Sequence, residues 1–315
     1  MTITGMRCVS VALLLAALAL GTISDRAPTN PVVELGGYRV LAADFHIHSF
    51  PLSWASLGPL DTVEQAKREG LDVIAMTPHN LLWVGQLGRR YSQITGGPLV
   101  ISGEEIVSPE YHLLAIGISH TVAWHESVGS AIDAIHAQGG IAIAAHPIKA
   151  FWPAYDADSV RKLDGTEVLH PLAYQNGPGY SELQEFYERA NAAAIGDSDF
   201  HGILHMGLCR TLVFVREATK NGVLEAIRAR RTAVIDRDGK AYGDPQLIAL
   251  VRASPECQRL LESPAIQSAA KPLARWSRIL GMVGLAGMLL FGFAPPRAES
   301  SRASRQLPGR KVPVR

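Results

Sequence analysis

Between Tyr38 and Leu250 the chain alternates short aliphatic runs with stretches of helical patterning. The strand-like runs are 38–45, 72–76, 98–102, 112–118, 141–146, 166–169, 193–198, 211–215 and 232–236. Most are continuously apolar rather than alternating, as expected of strands covered on both faces in a parallel sheet flanked by helices. About seven strand–helix units in ~210 residues fit a barrel better than an open sheet. The expected fold class is therefore α/β, a TIM-like barrel with its chemistry on loops at the C-terminal strand ends.

Helix signals lie between the strands. Asp61-Thr62-Val63-Glu64 resembles a capping box opening a helix that runs to Arg68, and Gly70 follows as a stop. Val128, Ile132 and Ile135 give helical spacing to residues 127–138, ended by Gly139-Gly140. Residues 181–191 and 219–230 read as further helices. Hydrophobic residues make up 47% of the chain and charged residues 19%, enough to bury a real core. With 30 basic and 29 acidic residues there is no basic excess, which argues against a dedicated duplex-binding protein. Three cysteines are too few for a disulfide scaffold or a thiolate zinc domain.

The histidines carry more information. All 11 fall between His46 and His205. His46 and His48 end the first strand, His79 follows the second, Glu104 and Glu105 follow the third, and His146 ends a later one. Asp199 and His201 follow another, whereas His112 begins its strand and breaks the rule. Imidazole and carboxylate delivered by several strand ends to one rim suit zinc, manganese or iron. In His46-x-His48 and Asp199-x-His201, alternate residues of an extended chain share a side, so each pair can reach one metal. Of Glu104 and Glu105 only one can point inward. His120, His125 and His136 lie outside this pattern, and His170 and His205 fit it ambiguously.

Both ends of the chain are apolar. Arg7 precedes a charge-free stretch from Cys8 to Ser24, so residues 1–26 read as a signal peptide or an uncleaved signal anchor. Residues 279–296 carry no charge and read as a transmembrane helix after a linker at 251–278. The tail, 297–315, holds six basic residues and one acidic one, and the positive-inside rule keeps it cytoplasmic. The expected protein is thus membrane-anchored, with a domain at 38–250 on the exported face. In that oxidising compartment Cys209 and Cys257 can pair, and two unpaired buried thiols are an equally open reading.

The motifs DFHIH (44–48), GLDVIAMTPHN (70–80), SGEEI (102–106), HLLAIG (112–117), AIAAHP (142–147) and GDSDFHG (196–202) resemble, in order and spacing, the PHP domain. This is the polymerase and histidinol phosphatase family of metal-dependent phosphoesterases. The segment at 232–248 resembles the end of phosphoesterase-like members. The resemblance implies a distorted (β/α)7 barrel holding two or three divalent transition metal ions. It implies His46, His48, Glu105 and Asp199 as ligands of a first ion, with Glu105, His112 and His146 on a second. His79 and His201 correspond to a third. Glu105 rather than Glu104 matches the family's Gly-x-Glu spacing from Gly103. Two positions depart from the family pattern. Ser53-Trp54 stands where Ser-Asp or Ser-His is usual, and Thr77-Pro78-His79 where Thr-Asp-His is usual, so the third ion lacks a ligand.

The function implied is hydrolysis of a phosphate ester by a metal-bridged hydroxide, acting on a phosphorylated small molecule. Lys149, just after His146-Pro147, is a candidate phosphate contact; the alternative reading is a solvated surface lysine. Trp54 and Pro78 favour a different reading, a tethered metal- or anion-binding sensor without turnover. A nuclease is a third reading, disfavoured by the balanced charge.

Overall fold

The structure is a computed structural model that describes residues 2–24, 31–51, 53–171, 179–202, 205–262 and 272–291. The expected basic tail, residues 292–296 of the expected second span and residues 263–271 of the expected linker lie outside the described residues. The chain divides into two compact units, Arg26–Ala269 and the terminal segments Met1–Asp25 with Ala270–Arg315.

The larger unit is built on one sheet. Its strands are β1 (Val33–Leu35), β2 (Tyr38–Ile47), β3 (Val73–Met76), β4 (Leu99–Val107), β5 (His112–Ile116), β6 (Ile141–Ala144), β7 (Gly165–Leu169), β8 (Ala193–Gly196), β9 (Thr211–Val215), β10 (Thr232–Ile235) and β11 (Ala241–Gly243). Their order is β11-β10-β9-β2-β3-β4-β5-β6-β7-β8, with β1 on β2. β8 returns against β9 and β10, so the sheet curls into a nearly closed barrel. All nine expected strands are present.

The sheet is mixed, which corrects the expectation of a parallel one. β5 runs antiparallel to β4 and β6, and β9 antiparallel to β2 and β10. The cause at β5 is its connection. Ser108 N donates to Tyr111 O across a short turn, too short for the crossover that a parallel neighbour needs. β5 is nonetheless buried on both faces, so its sequence looks like that of a parallel strand.

Around the sheet lie helices α2 (Pro59–Arg68), α3 (Trp83–Thr95), α4 (Val128–Ala137), α5 (Ala157–Lys162), α6 (Gly179–Ala190), α7 (Lys220–Arg228), α8 (Pro245–Ala253) and α9 (Pro255–Leu260); α1 (Ile3–Ser24) and α10 (Pro272–Phe291) belong to the terminal unit. α2 does not begin at the expected capping box. Gly58 precedes it, Pro59 occupies the first turn, and Asp61 lies inside that turn, where a carboxylate complements the helix dipole. α3 was not expected from the sequence. Its Gly85 and Gly88 weaken the helical signal, yet both are needed for contact: an added Cβ would lie 3.1 Å from Ser102 Cα and 2.4 Å from Met76 Sδ. The unit also reaches past the expected end at 250, since Leu247, Val251, Cys257 and Leu260 pack with Val40 and Phe214 of the sheet.

Leu41, Ala43, Phe45, Ile101, Leu114 and Val213 fill the barrel interior, and Val63, Ile74, Met76, Val84 and Val100 pack sheet against helices. Each such large apolar side chain contributes ~1.5–3 kcal/mol when fully buried. Cys209 and Cys257 are buried in different packing clusters, Cys209 beside Val234 and Cys257 beside Leu260, and no disulfide joins them.

In the terminal unit α1 and α10 pair antiparallel. Ser277 Oγ donates to Ala17 O at 2.7 Å, and Arg7 Nε to Phe291 O at 2.6 Å. Small residues make the approach possible: a Cβ at Gly284 would lie 2.9 Å from Ser10 O, and one at Gly287 2.2 Å from Ser10 Oγ. Leu15, Leu18, Met282, Leu289 and Leu290 stand exposed on the outside of the pair. Among the described residues one helix stretch, Ile3–Ile23, is long and apolar enough to cross a membrane or serve as a signal sequence, with mean hydropathy 2.1.

Candidate metal centre

The site is assembled by two local irregularities and one reversed strand. On β2, Leu41, Ala43 and Phe45 face the barrel interior, so strict alternation would carry His46 and His48 outward. A bulge prevents this. Between Asp44 and Ile47 β2 advances three residues while β3 advances two, from Ile74 to Met76. The extra residue re-aims the strand end, placing Ile47 in the outer layer and both histidines in the cluster. β4 keeps its phase, so Ile101 faces inward and Glu105 with it, while Glu104 points out and accepts from Val122 N at 2.6 Å. β5 starts where β4 ends, with His112 opposite Val107. The histidine that breaks the strand-end rule by sequence therefore reaches the same rim.

Glu105 is the centre of the arrangement. Its Oε2 lies 3.3 Å from His46 Nε2, 3.4 Å from His48 Nε2 and 3.2 Å from His79 Nε2. Its Oε1 lies 2.8 Å from His112 Nδ1 and 3.2 Å from His146 Nε2. Asp199 Oδ1 lies 3.3 Å from His46 Nε2 and 3.0 Å from His48 Nε2. Ligand atoms of His46, His48 and Glu105 lie within 4.8 Å of one another, as do those of Glu105, His112 and His146, and those of His48, His79 and His201. The structure thus brings together all eight residues expected from the sequence. His146 and Asp199 hold φ values of 28° and 46°, a region that side chains rarely adopt and that concentrates at functional sites.

The donor chemistry fits divalent metal ions. His46 Nε2 and His48 Nε2 are buried with no hydrogen-bond partner, although each faces carboxylate oxygens. His201 Nδ1 donates to Asp199 O at 2.9 Å, which leaves its other nitrogen as a ligand atom. Burial drives the His48 pKa down to about 4, so this ring is neutral near pH 7 and has a free lone pair. Burial opposes charge on His46 too, but Asp199, Glu105 and Glu167 outweigh it and raise its pKa well above the ordinary value. Burial likewise opposes ionisation of Glu105 and Asp199, yet the surrounding imidazoles, His46 foremost, hold both well below the usual carboxylate range.

Several supporting residues escaped the sequence reading. Glu167 is fully buried on β7; its Oε1 sits 2.6 Å from His46 Nδ1 and its Oε2 accepts from His146 N at 2.7 Å. A glutamate inside an apolar strand was the available signal, since a buried carboxylate needs partners. His170 Nε2 lies 3.4 Å from Asp199 Oδ2, and His170 groups with His46 and His146. Asp44 accepts from Gly207 N at 2.8 Å and from Ser198, and Asp197 accepts from Phe45 N at 2.6 Å. With His48 N donating to Phe200 O at 2.9 Å, these bonds tie the DFHIH and GDSDFH segments together. Ser53 is buried and accepts from His79 N at 2.8 Å, while Trp54 is 92% exposed. Lys149 Nζ pairs with Glu185 at 3.2 Å, and among the described residues none of its contacts is with the cluster. His136 pairs with Asp164 at 2.8 Å, away from the cluster.

The family model described as PHP-associated matches residues 182–232, the stretch that contains Asp199 and His201. The uncharacterized protein MJ1587 of Methanocaldococcus jannaschii is 30% identical over 148 residues, covering 41% of this chain and 82% of its own length. The chain belongs to the PHP family. Its PHP barrel also resembles a two-domain protein of Bacteroides vulgatus that is named as containing a predicted PHP-like metal-dependent phosphoesterase. The two share 24% identity and a TM-score of 0.58 over 72% of this chain and 74% of that one, a likeness of fold.

Proposed function

We propose that this PHP protein hydrolyses a phosphate ester of a small molecule, using two or three divalent transition metal ions: zinc, manganese or iron. The observation that carries this reading is the two-sided Glu105, with one oxygen facing His46, His48 and His79 and the other His112 and His146. His46, His48, Asp199 and Glu105 would hold one ion, and Glu105, His112 and His146 a second. His79 and His201, beside His48, would hold a third more weakly, because Trp54 offers it no ligand. Bound ions supply Lewis acidity toward phosphoryl oxygens and a lowered pKa for water. The chain itself supplies a buried acceptor set, neutral His48, and Glu167 to orient His46. The phosphoesterase activity predicted for the Bacteroides protein agrees with this chemistry.

The test is turnover of a phosphomonoester and a phosphodiester by the chelated protein reloaded with manganese or zinc. We expect hydrolysis that appears on reloading and disappears with chelator. Metal bound without turnover of either ester would support the sensor reading, which the exposed Trp54 favours, and cleavage confined to polynucleotides would support the nuclease reading.

The localisation follows the same logic. We propose that α1 is retained as a signal anchor and pairs with α10 in the membrane, the barrel lying on the exported face and residues 297–315 in the cytoplasm. Small residues inside and large apolar ones outside suit a helix pair in lipid, where close backbone contact rather than hydrophobic burial drives association. Mass spectrometry of the membrane-extracted chain should find residues 1–24 intact. Cleavage near Gly21 would sink the retained anchor, and reporters after residues 262 and 315 should fall on opposite sides.

A further inference from the structure

A cavity of about 890 Å³ opens on the face of the barrel opposite the metal centre. Arg39 and Leu99 mark it as the end where β2 and β4 start, and Ile118 and Ala218 as the end where β5 and β9 finish. Its charged lining is Arg39, Lys67, Arg89 and Lys220 against a single carboxylate, Asp72. Lys67 is paired with Glu64 at 3.1 Å, and Asp72 is engaged by Ala42 N at 2.9 Å. Lys220 Nζ donates to Gly117 O at 2.6 Å, a contact that leaves its charge unbalanced. Arg39 and Arg89 have no carboxylate partner among the described residues. Burial and the nearby Arg89 both lower the Lys220 pKa, the mark of cations held together without a counter-ion. Lys220 also opens α7, whose N-terminus adds partial positive charge.

We infer that this cavity binds a phosphate-bearing anion at a site separate from the metal centre. Two guanidinium forks and an ammonium match the oxygens of a phosphate. The group can come from a soluble phosphate ester or from a phospholipid headgroup, and the test distinguishes them. The full chain in detergent, stripped of metal to remove the cations of the other site, is titrated calorimetrically with inorganic phosphate and with short-chain phosphatidic acid. We expect saturable binding of at least one, weakened ~10-fold or more by Arg89→Gln and again by Lys220→Gln, and weakened by added salt. Glu105→Gln should leave it unchanged. Arg89 is exposed on α3, so its substitution does not threaten folding. Absence of binding by both probes, or equal binding by the folded variants, overturns the site. Response to phosphate alone assigns a soluble ligand, and response to phosphatidic acid alone assigns a lipid. This outcome is independent of whether the metal centre hydrolyses esters.

Discussion

Glu105→Gln is expected to remove most bound metal and to lower phosphoesterase turnover by more than ~100-fold, because loss of even an outer partner of a metal ligand typically costs 10–100-fold. The amide keeps the volume but loses the charge, and its NH2 cannot accept from, or share an ion with, the imidazoles on that side. Both groups built on Glu105 are therefore damaged by one substitution. Glu104→Gln is the control. Glu104 points away from the cluster, and burial raises its pKa to about 7. The folded chain holds that proton more tightly than the unfolded chain does. Wild-type stability should thus fall as pH rises from the ordinary carboxylate range through about 7, and Gln should flatten that fall while leaving metal content unchanged. Elemental analysis, turnover and thermal melting between pH 5 and 8 separate the two variants. Metal loss in Glu104→Gln with a silent Glu105→Gln would reverse the assignment.

The barrel was legible because nine strands are short, apolar and separated by helical signals, and the metal centre because eight ligand-type residues cluster near strand ends. The reversed β5 was not legible. A strand buried on both faces carries no mark of direction, so His112 looked misplaced until the Ser108–Tyr111 turn set it at the shared rim. The phase of β2 was hidden as well. His46 and His48 were rightly paired by alternation, but only the bulge after Asp44 turns that pair inward. α3 was masked by Gly85 and Gly88, whose role is close packing on β3 and β4 rather than helix formation. Lys149 shows the reverse error of proximity, since two residues in sequence from His146-Pro147 carry its ammonium to Glu185 instead.

Glu167 should prove the most consequential residue outside the set expected from the sequence. Its two oxygens do different work: Oε1 accepts from His46 Nδ1 and so turns Nε2 toward the cluster as the ligand atom, while Oε2 holds the backbone of His146 at φ 28°. His46 foremost, with His170 and His146, overcomes burial and keeps this carboxylate below its usual range, so it is ionised at neutral pH. Glu167→Ala leaves two buried donors without an acceptor, at about 1–3 kcal/mol each. It should also weaken metal affinity ~10–100-fold, the usual cost of losing the orienting partner of a ligating histidine. Glu167→Gln has one acceptor oxygen where two are needed. Whichever way the amide turns, either His46 Nδ1–H or His146 N–H meets an NH2 group, so this variant should fall between wild type and alanine. The decisive comparison is metal titration beside thermal melting. If both variants melt lower yet bind metal with wild-type affinity, Glu167 merely supports the fold. A graded loss of affinity, largest for alanine and accompanied by reduced kcat after saturation with metal, marks it as the residue that positions His46 and His146.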